Sequence, residues 1–131
     1  MSAQHEEFRD YCVELFASLA LSAGIAGIAA KRMFGGTGFS IDGKTFAIIA
    51  MDQLWLKVDD ESRNEFEQAD CEIFTYDKAG KPRSMSYYTV PDDAMESAAL
   101  MAPWATLAWG AALRAAASKS TKKTKKKTLS R

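Results

Sequence analysis

The chain has 131 residues, with 17 Lys plus Arg and 17 Asp plus Glu, so its formal net charge is zero. A composition of 47% hydrophobic and 26% charged residues is that of a globular domain and excludes a disordered or fibrous chain. The zero conceals two opposed parts: residues 119–131 carry seven cations and no acid, while residues 1–118 hold 10 basic and 17 acidic side chains, a net −7.

From Glu6 to Leu21, the apolar residues Phe8, Tyr11, Cys12, Leu15, Phe16 and Leu19 recur at helical spacing, which predicts a first amphipathic helix. Gly24 and Gly27 end it. Arg32-Met-Phe then runs into Gly35-Gly-Thr-Gly38, and Phe39-Ser-Ile41 leads to Asp42-Gly43. That pair is a strong hairpin signal, because both central residues of a type I′ turn need positive φ. Thr45–Met51 reads as the next strand and Asp52-Gln53 as a second turn. Leu54, Leu56 and Val58 alternate with Trp55 and Lys57 as a half-buried strand. Asp59-Asp60 offers N-cap oxygens to a short helix over 61–69 anchored by Phe66. Residues 73–76 and 84–90 form a hairpin across Lys78–Pro82. Pro91, as a first helical residue, opens a helical region that Pro103 restarts. There Trp104, Leu107, Ala108, Ala111 and Ala115 form a stripe. The order α-β-β-β-α-β-β-α predicts an α+β domain over 1–118, an antiparallel sheet with helices packed against it, followed by a Lys-rich tail. The tail, 119–131, has too little apolar content to fold alone and is expected to be disordered.

Two cysteines, Cys12 and Cys71, make no disulfide framework, and the acidic N-terminus lacks a signal peptide's basic region. A cytoplasmic protein is expected. The uncharged runs 15–30 and 97–113 number 16 and 17 residues, are rich in Ala, and fall short of the ~20 strongly apolar residues that span a bilayer.

Arg32-Met-Phe-Gly-Gly-Thr-Gly-Phe39, Leu54-Trp-Leu-Lys-Val-Asp-Asp60, Phe74-Thr-Tyr76 and Ser84-Met-Ser-Tyr-Tyr-Thr-Val-Pro91 stand in the order and spacing of the N-terminal domain of TfoX (Sxy) competence regulators. The chain resembles that family over about residues 5–117. The resemblance implies the same arrangement of helices and strands. It also implies a non-enzymatic role, since two-domain members co-activate natural-transformation genes with the cyclic-AMP receptor protein. Those members carry a second, helical domain where this chain carries lysines. No catalytic residue or cofactor is implied. Arg32, Met33, Phe34, Gly35, Gly36 and Gly38 form the family motif and are expected to be structural.

The residues themselves offer several candidate chemistries. The glycine segment could present N–H groups to an anion, but it lacks the Lys and following helix of a P-loop; a bulge or close backbone approach is the expectation. His5 and Cys12 lie about 10 Å apart along a helix, too far to share a metal or act as a nucleophilic pair. His5 is expected to be solvated and Cys12 to be core. Asp59-Asp60-Glu61 and Asp92-Asp93 are expected to serve helix starts rather than acid–base chemistry. Lys78, Lys81 and Arg83 near Tyr76, Tyr87 and Tyr88 could face nucleic acid, against which the net −7 of the body argues. Trp104 and Trp109 are expected to be buried rather than to dock a partner.

In the tail, Lys119, Lys122, Lys123, Lys125, Lys126, Lys127 and Arg131 could contact DNA without sequence preference, with a salt slope of about −6. The leading expectation is a regulatory or interaction module with a protein partner. The alternatives are a general nucleic-acid-binding protein and a small-molecule-binding domain with a closed pocket beside residues 34–39. Oligomeric state is not legible in the sequence.

Overall fold

A computed structural model describes residues 3–22, 28–33 and 36–129, with side chains over 4–19, 28–32 and 36–118. Gly24, Gly27, Phe34, Gly35, Arg131, and the side chains of Met33 and the tail lysines lie outside the described residues.

The elements in order are α1 (Ala3–Leu15), α2 (Ala17–Ser22), β1 (Ala29–Met33), β2 (Gly36–Ile41), β3 (Lys44–Ala50), β4 (Gln53–Lys57), α3 (Arg63–Gln68), β5 (Ile73–Lys78), β6 (Lys81–Tyr88), a 3₁₀ turn (Asp92–Glu96) and α4 (Ala98–Leu129). The strands form one antiparallel sheet in the order β1-β2-β3-β4-β6-β5, so the fold is the α+β class expected. It has one strand more than the sequence pattern suggested: β1, Ala-Ala-Lys-Arg-Met, pairs with β2 from Ala29↔Ser40 to Met33↔Gly36.

Three hairpins close on two-residue turns with both residues at positive φ: Asp42-Gly43, Met51-Asp52 and Ala79-Gly80. This geometry matches the right-handed twist of paired strands. The first is the Asp-Gly turn expected. The second falls one residue earlier than Asp52-Gln53, and the third lies within the loop expected at Lys78–Pro82.

The single first helix is divided at Phe16, whose N–H is shared between the Cys12 and Val13 carbonyls at 3.2 and 3.1 Å. The Phe16 ring stands edge-on to Phe39 and Phe46, with centroids 5.5 and 4.9 Å away. Around it lies the main core, where Cys12, Leu15, Leu19, Ile41, Ile49, Leu54, Leu56, Phe66 and Met101 are all buried. The most deeply buried stripe of α4 is Met101, Ala105, Ala108, Ala111 and Ala112, and its four alanines let the helix approach the sheet closely. Trp104 and Leu107 flank it, half-buried, rather than leading it. Tyr11, expected on the apolar face, is exposed, and its hydroxyl donates to the Met95 carbonyl.

Two proline expectations are corrected. Pro91 is extended (φ −58, ψ 145) and precedes the 3₁₀ turn, so it is not a first α-helical residue. Pro103 does not restart a helix but sits inside α4, whose start is capped by Ser97 Oγ accepting the Leu100 N–H at 3.1 Å. A proline there deprives the Ala99 carbonyl of its helical partner. Ala99 is an exposed residue, which keeps that loss cheap. The helical backbone of α4 runs on through 119–129. A helix already nucleated over 98–118 adds further residues without a new nucleation cost.

Candidate binding face of the sheet

The helices cover one face of the sheet. On the other, strand alternation gathers a second, smaller apolar cluster of Trp55, Phe74 and Tyr87, with Ile48 and Ala50 packed against it. Cross-strand partners in an antiparallel pair point to the same side. Ile48↔Trp55, Lys57↔Tyr87, Tyr76↔Arg83 and Lys78↔Lys81 therefore share this face, which no helix covers among the described residues. The Trp55 and Phe74 rings meet edge-on at 4.7 Å, and the Trp55 indole N–H donates to the Ala50 carbonyl at 3.1 Å. Lys57 Nζ stands 5.3 Å from the centre of the Tyr87 ring, and burial raises the pKa of the Tyr87 phenol.

A cavity of about 620 Å³ opens on this side, bounded by Ile48, Ile49 and Ala50 of β3, Phe74, Tyr76 and Lys78 of β5, and Met85 and Tyr87 of β6, and reaching Thr37 of β2 within the segment 34–39. Tyr76 and Met85 are exposed at its edge, at 41% and 39%. Trp55, Phe74 and Tyr87 are below 10% exposed and form a floor rather than open ring platforms.

The charges are sorted to match. Seven of the ten cations in residues 1–118 lie on described strands (Lys31, Arg32, Lys44, Lys57, Lys78, Lys81 and Arg83), whereas Asp77 is the one acid among the described strand residues. The strands carry a net +6, and the rest of residues 1–118 a net −13. Asp77 pairs with Pro82 and so points to the opposite side from Lys78. The body's net −7 is thus no measure of the field at this face.

Of the basic–aromatic set read from the sequence, Tyr76, Lys78, Lys81, Arg83 and Tyr87 come together here. Tyr88 does not: it turns to the helix side, with its ring 6.0 Å from Phe66 and its hydroxyl donating to Glu67 Oε2 at 2.8 Å. Sequence reasoning missed Trp55, Phe74, Ile48 and Met85. The usable signal was the β4 alternation, which sets Trp55 beside Lys57 and opposite Leu54 and Leu56.

The other candidates resolve differently. Gly36 is needed for close approach, since a Cβ there would stand 1.9 Å from the Ile49 carbonyl oxygen. Gly38 pairs with Lys31 and Ile48 inside the sheet, and Arg32 lies opposite Thr37. His5 is not simply solvated: its Nε2 lies 2.9 Å from Oγ1 of the fully buried Thr37. Cys12 is fully buried, and burial pushes its thiol up to about 12, which removes it as a nucleophile. Among the described residues, no group of three His, Cys, Asp or Glu could hold a metal ion.

Asp59 does not cap α3 directly. The N-cap is Ser62, without a side-chain cap bond, and Asp59 Oδ1 accepts the Ser62 N–H one turn earlier, at 3.1 Å. Arg114 of α4 grips the same carboxylate through Nε at 2.6 Å and a second nitrogen at 3.0 Å, and its Nε also lies 3.0 Å from Glu61. Chiefly through that hydrogen bonding, the Asp59 pKa falls to about 2. A carboxyl so firmly ionised cannot serve as a general acid near neutrality. Trp104 packs on Phe66 at 5.1 Å and Trp109 on Phe46 at 6.1 Å, so both indoles brace α4 against the body.

Fold and site together define an α+β domain with one sheet face under helices and the other open, aromatic and cationic. The sequence model of the TfoX N-terminal domain matches residues 20–112, and the chain belongs to that family. Helix α1 lies outside the matched residues, so the match is narrower than the resemblance over 5–117. No curated protein matches the chain. No described helix is long and apolar enough to cross a membrane.

Proposed function

We propose that this domain is a non-enzymatic, cytoplasmic regulatory module that works by contact with a protein partner through the open face of its sheet. The observation that carries this reading is the apolar cavity edged by exposed Tyr76 and Met85 and by Lys78, on a face whose described strand charges are all positive. Surfaces of this kind, apolar at the centre with a polar rim, are typical contact sites. Membership of the TfoX N-terminal domain family supports transcription control linked to DNA uptake as the process served.

Transcript profiling of the source cells tests this. A deletion strain complemented with Tyr76→Ala/Met85→Asp, which alters only exposed side chains, should show the same altered transcripts as the deletion. Full complementation by that variant, or no transcript change on deletion, would refute the reading.

The cation-rich segment after Ser118 supports a second, compatible contact, sequence-independent binding of DNA. Truncation at Ser118 should weaken DNA binding and flatten its salt dependence, while leaving partner binding intact. Equal DNA retention by the truncated chain would remove the segment's role.

A further inference from the structure

We propose that the cavity between β3 and the β5–β6 hairpin is a binding site for a small amphipathic anion, an apolar body carrying a single carboxylate. This goes beyond partner contact and makes the domain responsive to a ligand.

Four observations converge. At about 620 Å³, the cavity is of the size that holds small organic ligands. Its lining is overwhelmingly apolar, with Ile48, Ala50, Phe74, Met85 and Tyr87 supplying walls that an alkyl or aromatic body would cover. Lys78 is the charged side chain among the lining residues, and it belongs to the exposed hairpin end, paired across from Lys81. By strand alternation, Lys31, Lys57, Lys81 and Arg83 occupy the same face, and no Asp or Glu of a described strand does. An apolar body would displace weakly held water from the cavity, while its anionic end stayed at the mouth beside the Lys78 ammonium. A cationic amphiphile of equal length would gain the same burial but meet like charge.

Single-stranded nucleic acid is the competing anionic occupant, and the ring geometry disfavours it. Stacking needs accessible ring faces. On this face Trp55, Phe74 and Tyr87 are buried, which leaves Tyr76 as the exposed ring.

The test uses the full chain with decanoate, decylammonium and an oligo(dT) 12-mer as probes. Binding is followed by calorimetry and by the NMR shift of the Trp55 indole N–H. Decanoate should bind saturably and move that resonance, whereas decylammonium should bind at least tenfold more weakly. Lys78→Met, which keeps the apolar stem, should weaken decanoate about fivefold, in line with a partly solvated charge pair. Met85→Glu, at an exposed position, should weaken it more than tenfold. Thermal unfolding of both variants would show that each remains folded. Absence of saturable decanoate binding would overturn the proposal. So would equal binding of decylammonium, an unchanged affinity in both variants, or oligo(dT) moving the Trp55 resonance where decanoate does not. Because decanoate binding is read without any protein partner, this proposal can fail while partner contact stands.

Discussion

Removing Arg114 should cost stability that depends on pH in a defined direction. Arg114 crosses 55 residues of sequence to hold Asp59 with two hydrogen bonds of 2.6 and 3.0 Å, tying α4 to the end of β4. The Asp59 pKa falls from 3.8 to about 2, with the Arg114 hydrogen bond as the largest cause. At ~1.36 kcal/mol per pH unit, that shift sets a ceiling of just over 2 kcal/mol. The two side chains are 40% and 29% exposed, so water and salt screen the pair, and about 1 kcal/mol is the expected net value. Because the folded pKa lies below the unfolded one, this contribution is complete above about pH 5 and is lost as pH falls from 3.8 through 2. Arg114→Met should therefore lower the unfolding free energy by about 1 kcal/mol at pH 7, or roughly 3–5 °C in Tm. The difference from the unsubstituted chain should shrink towards pH 2. Urea titrations followed by circular dichroism at pH 7, 4 and 2.5 measure it. In Asp59→Asn the same Arg114 substitution should have a smaller pH-dependent effect, with the exposed Glu61 the remaining carboxylate beside the guanidinium. A loss at pH 7 that persists undiminished at pH 2.5 would mean that Arg114 acts by packing its stem, and the electrostatic reasoning would be wrong.

Two further outcomes follow from close packing. Gly36→Ala would drive a Cβ to 1.9 Å from the Ile49 carbonyl, a backbone atom that cannot retreat without disturbing the β2–β3 ladder. A loss of about 2–3 kcal/mol in unfolding free energy, read from a lowered urea midpoint, is expected, and a change below ~0.5 kcal/mol would contradict the close approach. Cys12, fully buried and with its thiol at about 12, should resist a thiol reagent at pH 8 in the native protein, while half-buried Cys71 reacts first. Labelling of Cys12 at the unfolded rate would show that the α1–sheet core opens readily.

What the sequence made legible was local and periodic. Asp42-Gly43 identified its turn because two consecutive positive φ values leave few residue choices. The β4 alternation placed Leu54 and Leu56 in the main core, but it undervalued the opposite side, where Trp55 is as buried as its neighbours. Strand β1 was hidden because Ala-Ala-Lys-Arg has little strand preference; it lies at the sheet edge, where its pairing with β2 holds it extended. Tyr87 and Tyr88 looked equivalent, yet adjacent strand residues must face opposite ways. The register Lys57↔Tyr87 decides which one joins the open face. Asp59 read as a helix cap, since no local pattern announces a partner on a helix 55 residues later.

The charge sorting explains how an acidic body can present an anion-accepting face. Under physiological salt, fields between exposed charges fade over ~8 Å, and a helix with its side chains is about 10 Å across. The acids of α1, α3 and the 3₁₀ turn lie off the strands. They are therefore largely screened from a ligand beside Lys78, whereas Lys57, Lys81 and Arg83 lie on its own face. Lowering the salt lengthens that reach and lets the net −13 be felt through the sheet. Anion affinity at this face should therefore rise less on dilution of salt than an isolated cluster of five cations would require. DNA binding by the lysines beyond Ser118 should instead keep the steep salt dependence of counterion release. Comparing the two salt slopes separates a contact made at the sheet from one made by the C-terminal segment.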